Sequence, residues 1–166
     1  ASLAAGASVK GSGIGSDTSG GPAAQSFTSG TSGGAFAASP RGVPPFEGMW
    51  AIPGGFKRPE ETLDEAAERE LAEEAGVDAA SLLAQFGAYG DPGRDPRMNV
   101  VTVAYFAVLR HVPDLVAGTD ATAADLVPVS DALNGTLELA FDHARIVRDA
   151  VDRVRVDLER TGIATA

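Results

Sequence analysis

The sequence lacks cysteine altogether, which excludes disulfide bonds and thiolate metal sites. It has no apolar run long enough to cross a bilayer. Its first residues also lack the basic-then-apolar order of a signal peptide. From these absences we expect a soluble, cytoplasmic protein without a membrane partner.

Basic residues are scarce. The 166 residues include 13 Lys and Arg but 23 Asp and Glu, so the formal net charge is −10. Domains that bind nucleic acid usually carry a basic patch, and we therefore expect no nucleic-acid partner. The acidic excess does not exclude an enzyme that acts on phosphates, because a bound metal ion reverses the sign of the field locally.

Large apolar side chains are rare at the start of the chain, where half of residues 1–34 are Gly or Ser. Such a segment buries too little apolar area to offset the entropy lost on ordering. We therefore predict a flexible segment over residues 1–26 and one folded domain over residues 27–166. Residues 26–42 have the length of a hairpin but few strand-forming side chains.

Hydrophobic patterning in the rest of the chain predicts strands mixed with two helices. The strands are predicted at 49–52, 81–90, 99–109 and 126–129, and the helices at 62–75 and 141–160. Residues 99–109 are almost continuously apolar, which is typical of a strand buried on both faces. Strands mixed with helices in this way predict an α/β sandwich.

The first predicted helix has clear start and stop signals. Thr62 is a good N-cap and Glu65 follows three residues later, as in a capping box. Gly76 is suited to the left-handed conformation that ends many helices. Apolar residues recur at every fourth position and predict a buried stripe: Leu63, Ala67, Leu71 and Ala75.

Three glutamates lie close together near the end of this helix, in the segment RELAEEAG at 69–76. Residues three and four apart are neighbours on a helix, so Glu70 lies beside both Glu73 and Glu74, next to the apolar stripe. The cluster is either a solvated acidic face or a cation site, since Mg²⁺ prefers oxygen ligands. Arg69 points elsewhere by spacing, and we predict that it holds a carboxylate in place, with Glu61 as a candidate partner.

The wider segment resembles a known family. From Gly55 the chain reads GFKRPEETLDEAAERELAEEAGV, which matches every fixed position of the signature of the Nudix hydrolase family. The resemblance implies a Nudix-type α/β/α sandwich with a mixed β-sheet and a long C-terminal helix. It also implies a pyrophosphatase, that is, a hydrolase acting on acid anhydrides, in which a metal-activated water attacks a phosphorus.

The same resemblance implies roles for the residues of the signature. Glu70 and Glu74 would be the principal metal ligands, and Glu73 would bind metal or orient a water. The carbonyl of Gly55 could complete the coordination of Mg²⁺, with Mn²⁺ as the alternative, and Arg69 would support the catalytic carboxylates.

The general base is not fixed within this family. It can be a signature glutamate or an acidic residue on a distant loop. Asp120 is a candidate for the distant role, and a solvated loop aspartate is the alternative interpretation.

Three further blocks resemble the ADP-ribose pyrophosphatase branch of the family and the related transcriptional regulators of NAD metabolism. They read PPFEGMWAIPGGF, GRDPRMNVVTVAYFAVL and LAFDHARIVRDAV. The resemblance implies hydrolysis of ADP-ribose, or a similar nucleotide sugar, to AMP and ribose 5-phosphate. The alternatives are an ADP-ribose-sensing domain of a regulator that lacks its DNA-binding domain, and a pyrophosphohydrolase of oxidised nucleoside triphosphates.

Substrate-binding candidates lie in the same blocks. Arg94 and Arg97 either grip phosphate oxygens bidentately or form internal Arg–Asp pairs that fix a turn. Phe56 and Tyr105 could stack on a base, although Tyr105 could equally belong to the core. His143 either begins the last helix or lines the site. A homodimer is plausible because that helix is long.

Overall fold

The computed structural model describes residues 2–11, 34–77, 82–109 and 124–161. The strands are β1 (Ser2–Gly11), β2 (Ala35–Pro40), β3 (Trp50–Ala51), β4 (Gly54–Phe56), β5 (Ala84–Tyr89), β6 (Val101–Leu109) and β7 (Asp125–Pro128). The helices are α1 (Leu63–Ala75), α2 (Val129–Leu133) and α3 (His143–Thr161).

These strands form two sheets. The larger sheet has the order β4-β1-β6-β5, with β1 parallel to β4 and the other pairs antiparallel. The smaller sheet has the order β3-β2-β7 and is antiparallel. The larger sheet is therefore mixed, as predicted.

Helices cover the strands on two sides. One core cluster joins α1 to one face of β6 through Leu71, Tyr105 and Ala107. The other joins α3 to the strands through Ile146, Val147 and Ala104. Because neighbouring strand residues point to opposite faces, β6 contributes to both clusters. This arrangement is the α/β/α sandwich expected of the fold, and it confirms that β6 is buried on both faces.

The N-terminal region differs from the flexible segment predicted over residues 1–26, because Ser2–Gly11 forms β1 between β4 and β6. Backbone hydrogen bonds to two neighbouring strands order this stretch, and amino-acid composition does not register them. Residues 12–26 lie outside the described residues. Of the hairpin-length region at 26–42, residues 26–33 lie outside the described residues, and the rest contains β2, which pairs with β3 and β7.

Most other elements agree with the predictions. The strands β3 and β5 fall within the predicted segments, and β7 overlaps its predicted segment and lies at the edge of its sheet. The helices α1 and α3 match the two predicted helices. The short helix α2 was not predicted, since five residues carry too little periodicity to identify. Within the described residues no helix is long and apolar enough to span a membrane.

Candidate functional site

The local sequence of α1 sets the position of the acidic cluster. Thr62 and Glu65 form the predicted capping box, in which Thr62 Oγ1 accepts from Glu65 N at 3.2 Å and Glu65 Oε2 accepts from Thr62 N at 2.7 Å. Gly76 ends the helix with a left-handed φ of 64°, and its N–H donates to Ala72 O. Leu71 is fully buried and anchors the helix to the sheet.

Glu70 is the innermost of the three glutamates, with 7% of its surface exposed. Its carboxylate lies against the backbone of Gly55 in β4: a Cβ added at Gly55 would stand 2.7 Å from Glu70 Cδ. No side chain fits at position 55 while Glu70 keeps this position. Burial raises the pKa of the Glu70 carboxyl, against the opposing effect of Arg69.

Glu74 is tied to the same backbone segment. The N–H of Gly54 donates to Glu74 Oε2 at 2.8 Å. Glu70 and Glu74 therefore both meet the Gly54–Gly55 backbone, one turn of α1 apart. The pair of glycines in β4 and the carboxylates of α1 form one structural unit.

Arg69 is the cation of the cluster. Its Nη2 donates to Glu61 Oε2 at 3.0 Å, its Nε donates to Glu61 Oε1, and Nη2 also donates to Phe56 O at 3.2 Å. The pairing with Glu61 is the one considered from the sequence. These hydrogen bonds raise the pKa of the Arg69 guanidinium and hold the pKa of Glu61 at about 2.

Arg69 also reaches the cluster itself, which corrects the prediction that it points elsewhere. Its Nη1 donates to Glu70 Oε1 at 2.6 Å and to Glu73 Oε2 at 3.1 Å. A long arginine side chain can turn back over its own helix, so a one-residue offset does not separate it from Glu70. Arg58 lies farther out, where it meets Glu73 at 3.5 Å.

Within the described residues, no three His, Asp or Glu side chains are grouped so that they could hold a metal ion. Glu70 and Glu73 accept hydrogen bonds from Arg69, and Glu74 accepts one from the N–H of Gly54. The donor set nevertheless fits a hard divalent cation, because it consists of carboxylate oxygens on one helix face with Glu70 buried among them. Arg69 binds one oxygen of the Glu70 carboxylate and one of the Glu73 carboxylate, and a carboxylate can ligate an ion through its second oxygen.

Arg94 is nearly buried and forms an internal ion pair. Its side chain is 5% exposed and makes two hydrogen bonds to the Asp142 carboxylate, at 2.9 Å and 2.5 Å. It also donates to Thr102 Oγ1 at 2.6 Å. These contacts favour the internal-pair interpretation over a grip on substrate phosphate, although the partner comes from the start of α3 and not from the turn.

Arg97 is more accessible. It makes two hydrogen bonds to Asp95, at 3.0 Å and 2.8 Å, while 38% of its side chain remains exposed. Its guanidinium lies 5.5 Å from the centre of the Phe141 ring. Arg97 therefore combines the internal Arg–Asp pair with a surface that a ligand can reach.

The remaining candidates divide between core and site. Tyr105 is 1% exposed and its hydroxyl donates to Asp64 at 2.8 Å, so its ring belongs to the core and has no free face for a base. His143 is buried at the start of α3, where Nδ1 accepts from Ile52 N at 3.2 Å. Phe56 is half-buried in β4. Asp120 lies outside the described residues.

Sequence reasoning missed three contributors to this region. The N–H of Gly54 orients Glu74, and the PGG sequence, whose two glycines begin β4, is a signal for such a close approach. Arg41 and Phe141 also meet here, 4.8 Å apart between guanidinium carbon and ring centre. No periodicity links two residues so far apart in the chain, so their contact had no sequence signal.

Comparison with known proteins bears on this site. A model of the NUDIX domain matches residues 32–150. The chain is 39% identical over 106 residues to the ADP-ribose pyrophosphatase of Methanocaldococcus jannaschii, a match that covers 63% of this chain and 59% of that protein. It is 34% identical over 112 residues to the ADPR responsive transcriptional repressor NtrR of Acinetobacter baylyi, covering 66% of this chain and 44% of that protein.

Among solved structures, the NUDIX domain of Shewanella oneidensis NrtR complexed with ADP ribose is similar with a TM-score of 0.65 and 26% identity. That match covers 93% of this chain and 89% of that one. The chain thus spans less than two thirds of the length of either curated relative, but nearly the whole of this solved domain.

Proposed function

The chain belongs to the NUDIX family, and on that premise we propose that it is a metal-dependent pyrophosphatase of a nucleoside diphosphate linked to another group. The proposed substrate is ADP-ribose, cleaved to AMP and ribose 5-phosphate. The observation that carries the proposal is the packing of Glu70 and Glu74 against the Gly54–Gly55 backbone. The similarity to an ADP-ribose pyrophosphatase supports the choice of substrate.

The residues of the cluster have distinct roles in this proposal. Glu70, Glu73, Glu74 and the Gly55 carbonyl would hold a divalent cation, Mg²⁺ or Mn²⁺. When bound, such a cation lowers the pKa of a water and neutralises charge at the transferring phosphorus. Gly54 orients Glu74 through its N–H.

Arg69 is a positioning residue. Its two hydrogen bonds to Glu61 fix the guanidinium, and the fixed guanidinium in turn holds Glu70. Supporting contacts of this kind typically change metal affinity or activity 10- to 100-fold, roughly, when they are removed. The signature positions of Glu61 and Arg69 therefore belong to the site even though neither need touch the metal.

A turnover assay with product identification tests the proposal. The protein is incubated with ADP-ribose and Mg²⁺, and AMP and ribose 5-phosphate are separated by chromatography. We expect Glu74→Gln to lower the rate by roughly 100-fold or more, because several kcal/mol of charge stabilisation depend on the cation. Chelation should abolish turnover, and Mg²⁺ or Mn²⁺ should restore it.

Glu68→Gln is the matched control, since it removes one carboxylate from the same helix outside the cluster. It should leave the rate unchanged. The proposal fails if the wild-type protein turns over no member of a nucleoside diphosphate panel, or if Glu74→Gln retains the wild-type rate.

A second candidate is an ADP-ribose-sensing domain. It is favoured by the similarity to a solved NUDIX domain with ADP ribose bound and to a transcriptional repressor. A sensor binds ADP-ribose tightly and turns it over negligibly. Calorimetry combined with product analysis of the same samples separates the two functions, because only the enzyme yields AMP during the titration.

A further inference from the structure

A cationic and aromatic cluster lies near the acidic one. It consists of Arg41, which follows β2, Arg97, from the loop before β6, and Phe141, which precedes α3. The guanidinium carbons of Arg41 and Arg97 lie 4.8 Å and 5.5 Å from the centre of the Phe141 ring. One aromatic ring therefore carries two guanidinium groups, each at a distance typical of a cation–π contact.

Arg41 is held by neutral groups. Its Nε donates to Pro45 O at 2.9 Å and Nη2 reaches Val43 O at 3.5 Å, both in its own loop. Among the ion pairs of the described residues, Arg41 takes part in none, whereas Arg94 and Arg97 each pair with an aspartate. Burial and the nearby charge of Arg97 lower the pKa of the Arg41 guanidinium, and the charges of Asp95 and Glu74 oppose this shift only in part.

Arg41 is half-buried, and the contacts to its own loop use only part of its donor capacity. A guanidinium has five N–H donors in a planar fork, and the loop carbonyls account for two of them. Arg97 adds the exposed part of its side chain, and the buried Asp95 fixes its orientation. Each guanidinium has the planar fork of donors with which arginine can bind a phosphate bidentately.

The cluster is joined to the catalytic candidates through a short backbone segment. The Phe141 ring lies 5.4 Å from the ring of His143, which accepts a hydrogen bond from Ile52 N. Two residues further along, Gly54 donates to Glu74. The charge of Glu74 also raises the pKa of Arg41, which places the two side chains within electrostatic reach of each other. The cationic cluster thus borders the end of the acidic site that contains Glu74.

We propose that Arg41 and Arg97, seated on the Phe141 ring, form an anion subsite that binds a phosphate group of the nucleotide substrate. The identity of the ligand rests on the proposed function; the site itself rests on the geometry of the cluster. Arg41 is the principal group, because its charge has no carboxylate ion pair among the described residues. Arg94 is excluded from the subsite by its pairing with Asp142.

Calorimetric titration tests the subsite without relying on turnover. ADP-ribose, inorganic pyrophosphate and adenosine are titrated separately into the protein in the presence of a chelator. We expect Arg41→Met to weaken binding of ADP-ribose and pyrophosphate about 10- to 100-fold, the range for losing a hydrogen bond to a charged group. Arg41→Lys should fall between wild type and Arg41→Met, because it keeps the charge but not the fork.

Arg145→Met is the matched control. Arg145 also stacks on an aromatic ring, 5.5 Å from the centre of Tyr89, but it pairs with Asp91 outside the cluster. Its loss should leave all three affinities unchanged. Thermal melts establish that each variant is folded, and Arg41→Lys serves as the test if Arg41→Met does not fold.

Two results would overturn the subsite: unchanged pyrophosphate and ADP-ribose affinity in a folded Arg41 variant, or a loss confined to adenosine, which would make the cluster a base site. The subsite and the proposed function fail separately. If the protein binds pyrophosphate through Arg41 but hydrolyses no substrate, the subsite is supported and the proposed enzymatic function is rejected. If the Arg41→Met variant hydrolyses ADP-ribose at the wild-type rate with an unchanged KM, the subsite is rejected and the proposed enzymatic function is supported.

Discussion

At the scale of the residue, the site depends on the absence of a side chain at position 55. The Glu70 carboxylate occupies the volume where a Cβ of residue 55 would stand. Glu70 is buried and accepts a hydrogen bond from Arg69, so a Cβ at position 55 would push its carboxylate away from that contact. Glycine at this position is thus required by a neighbour on α1 and not by an unusual backbone angle of its own.

Gly55→Ala tests this contact. We expect a large loss of the proposed hydrolase activity, because the new methyl group displaces the Glu70 carboxylate from the cluster. Stability should fall less, since the displaced group is the end of a side chain and not backbone. Steady-state kinetics and urea denaturation of the same samples measure the two effects.

Gly90→Ala is the control for that substitution. A Cβ at Gly90 would meet the methyl groups of Val101, at 3.4 Å and 4.0 Å, which are ordinary contacts. It should leave activity at the wild-type level. Equal losses in both variants would mean that the effect of Gly55→Ala comes from backbone stiffening and not from Glu70.

At the scale of the element, α1 is a helix whose ends are both defined by its own sequence. The capping box at Thr62 satisfies N–H groups of the first turn, and Gly76 satisfies a carbonyl of the last. The helix is thereby fixed along its axis. The position of Glu70 and Glu74 beside β4 depends on that placement, so the caps serve the site as well as the fold.

Thr62→Ala removes the cap. We expect the free energy of unfolding to fall by about 1 kcal/mol, the usual value for a lost N-cap. Urea denaturation followed by circular dichroism measures it. Thr136→Ala, at an exposed turn position, is the control and should change stability by less than about 0.5 kcal/mol; an equal effect of the two would contradict a capping role.

At the scale of the whole molecule, partly buried polar contacts join the sheet to the helices. Tyr105 in β6 donates to Asp64 in α1, and Tyr89 in β5 donates to Asp149 in α3. Arg94, from the loop between β5 and β6, binds Asp142 at the start of α3. Each contact crosses between elements that are far apart in the chain, so it forms only when the layers have packed.

Alkaline titration reports on both tyrosines, the only two in the chain. Burial and the Asp64 carboxylate raise the pKa of Tyr105 to about 12, and burial and Asp149 raise the pKa of Tyr89 as well. The native state therefore holds these protons more tightly than the unfolded state, whose tyrosines titrate near pH 10, roughly. This contribution to stability is complete below that pH and is lost as the pH rises towards about 12.

We expect the native protein to show little tyrosinate absorbance near pH 10, roughly, while the unfolded protein shows half of its total. Tyr105→Phe and Tyr89→Phe assign the two steps. Titration of both tyrosines at their ordinary pKa in the folded protein would contradict the buried hydrogen bonds.

Arg94→Ala separates a structural from a substrate-binding role. It leaves the Asp142 carboxylate without its buried partner, so we expect a loss of about 3 kcal/mol or more in unfolding free energy. The folded fraction should keep its affinity for ADP-ribose. Arg148→Ala, an exposed arginine on α3, is the control with no loss of stability. Weakened ligand binding with unchanged stability would restore the phosphate-grip interpretation.

The oligomeric state stays a prediction. The length of α3 suggested a homodimer, and the helix carries Val156, which is 41% exposed. Sedimentation at several concentrations would settle it.

The sequence by itself determined the fold class, helix α1 with both caps, and the acidic signature on one face of that helix. These features depend on residues within a few positions of one another, where helical and strand periodicity act directly. The pairing of Arg69 with Glu61 was within reach for the same reason, being eight residues apart. The strand at Ser2–Gly11 was not, because hydrogen bonding of its backbone owes little to its small side chains.

The tertiary structure decided most of the charge pairs. In the folded protein, Arg69 donates hydrogen bonds to Glu70 and Glu73. The N–H of Gly54 donates to Glu74. Arg94 donates to Asp142, which lies 48 residues further along the chain. The tertiary structure also brought Arg41 to Phe141. Partners of this kind are chosen by how the layers pack, and the spacing of residues along the chain does not encode that choice.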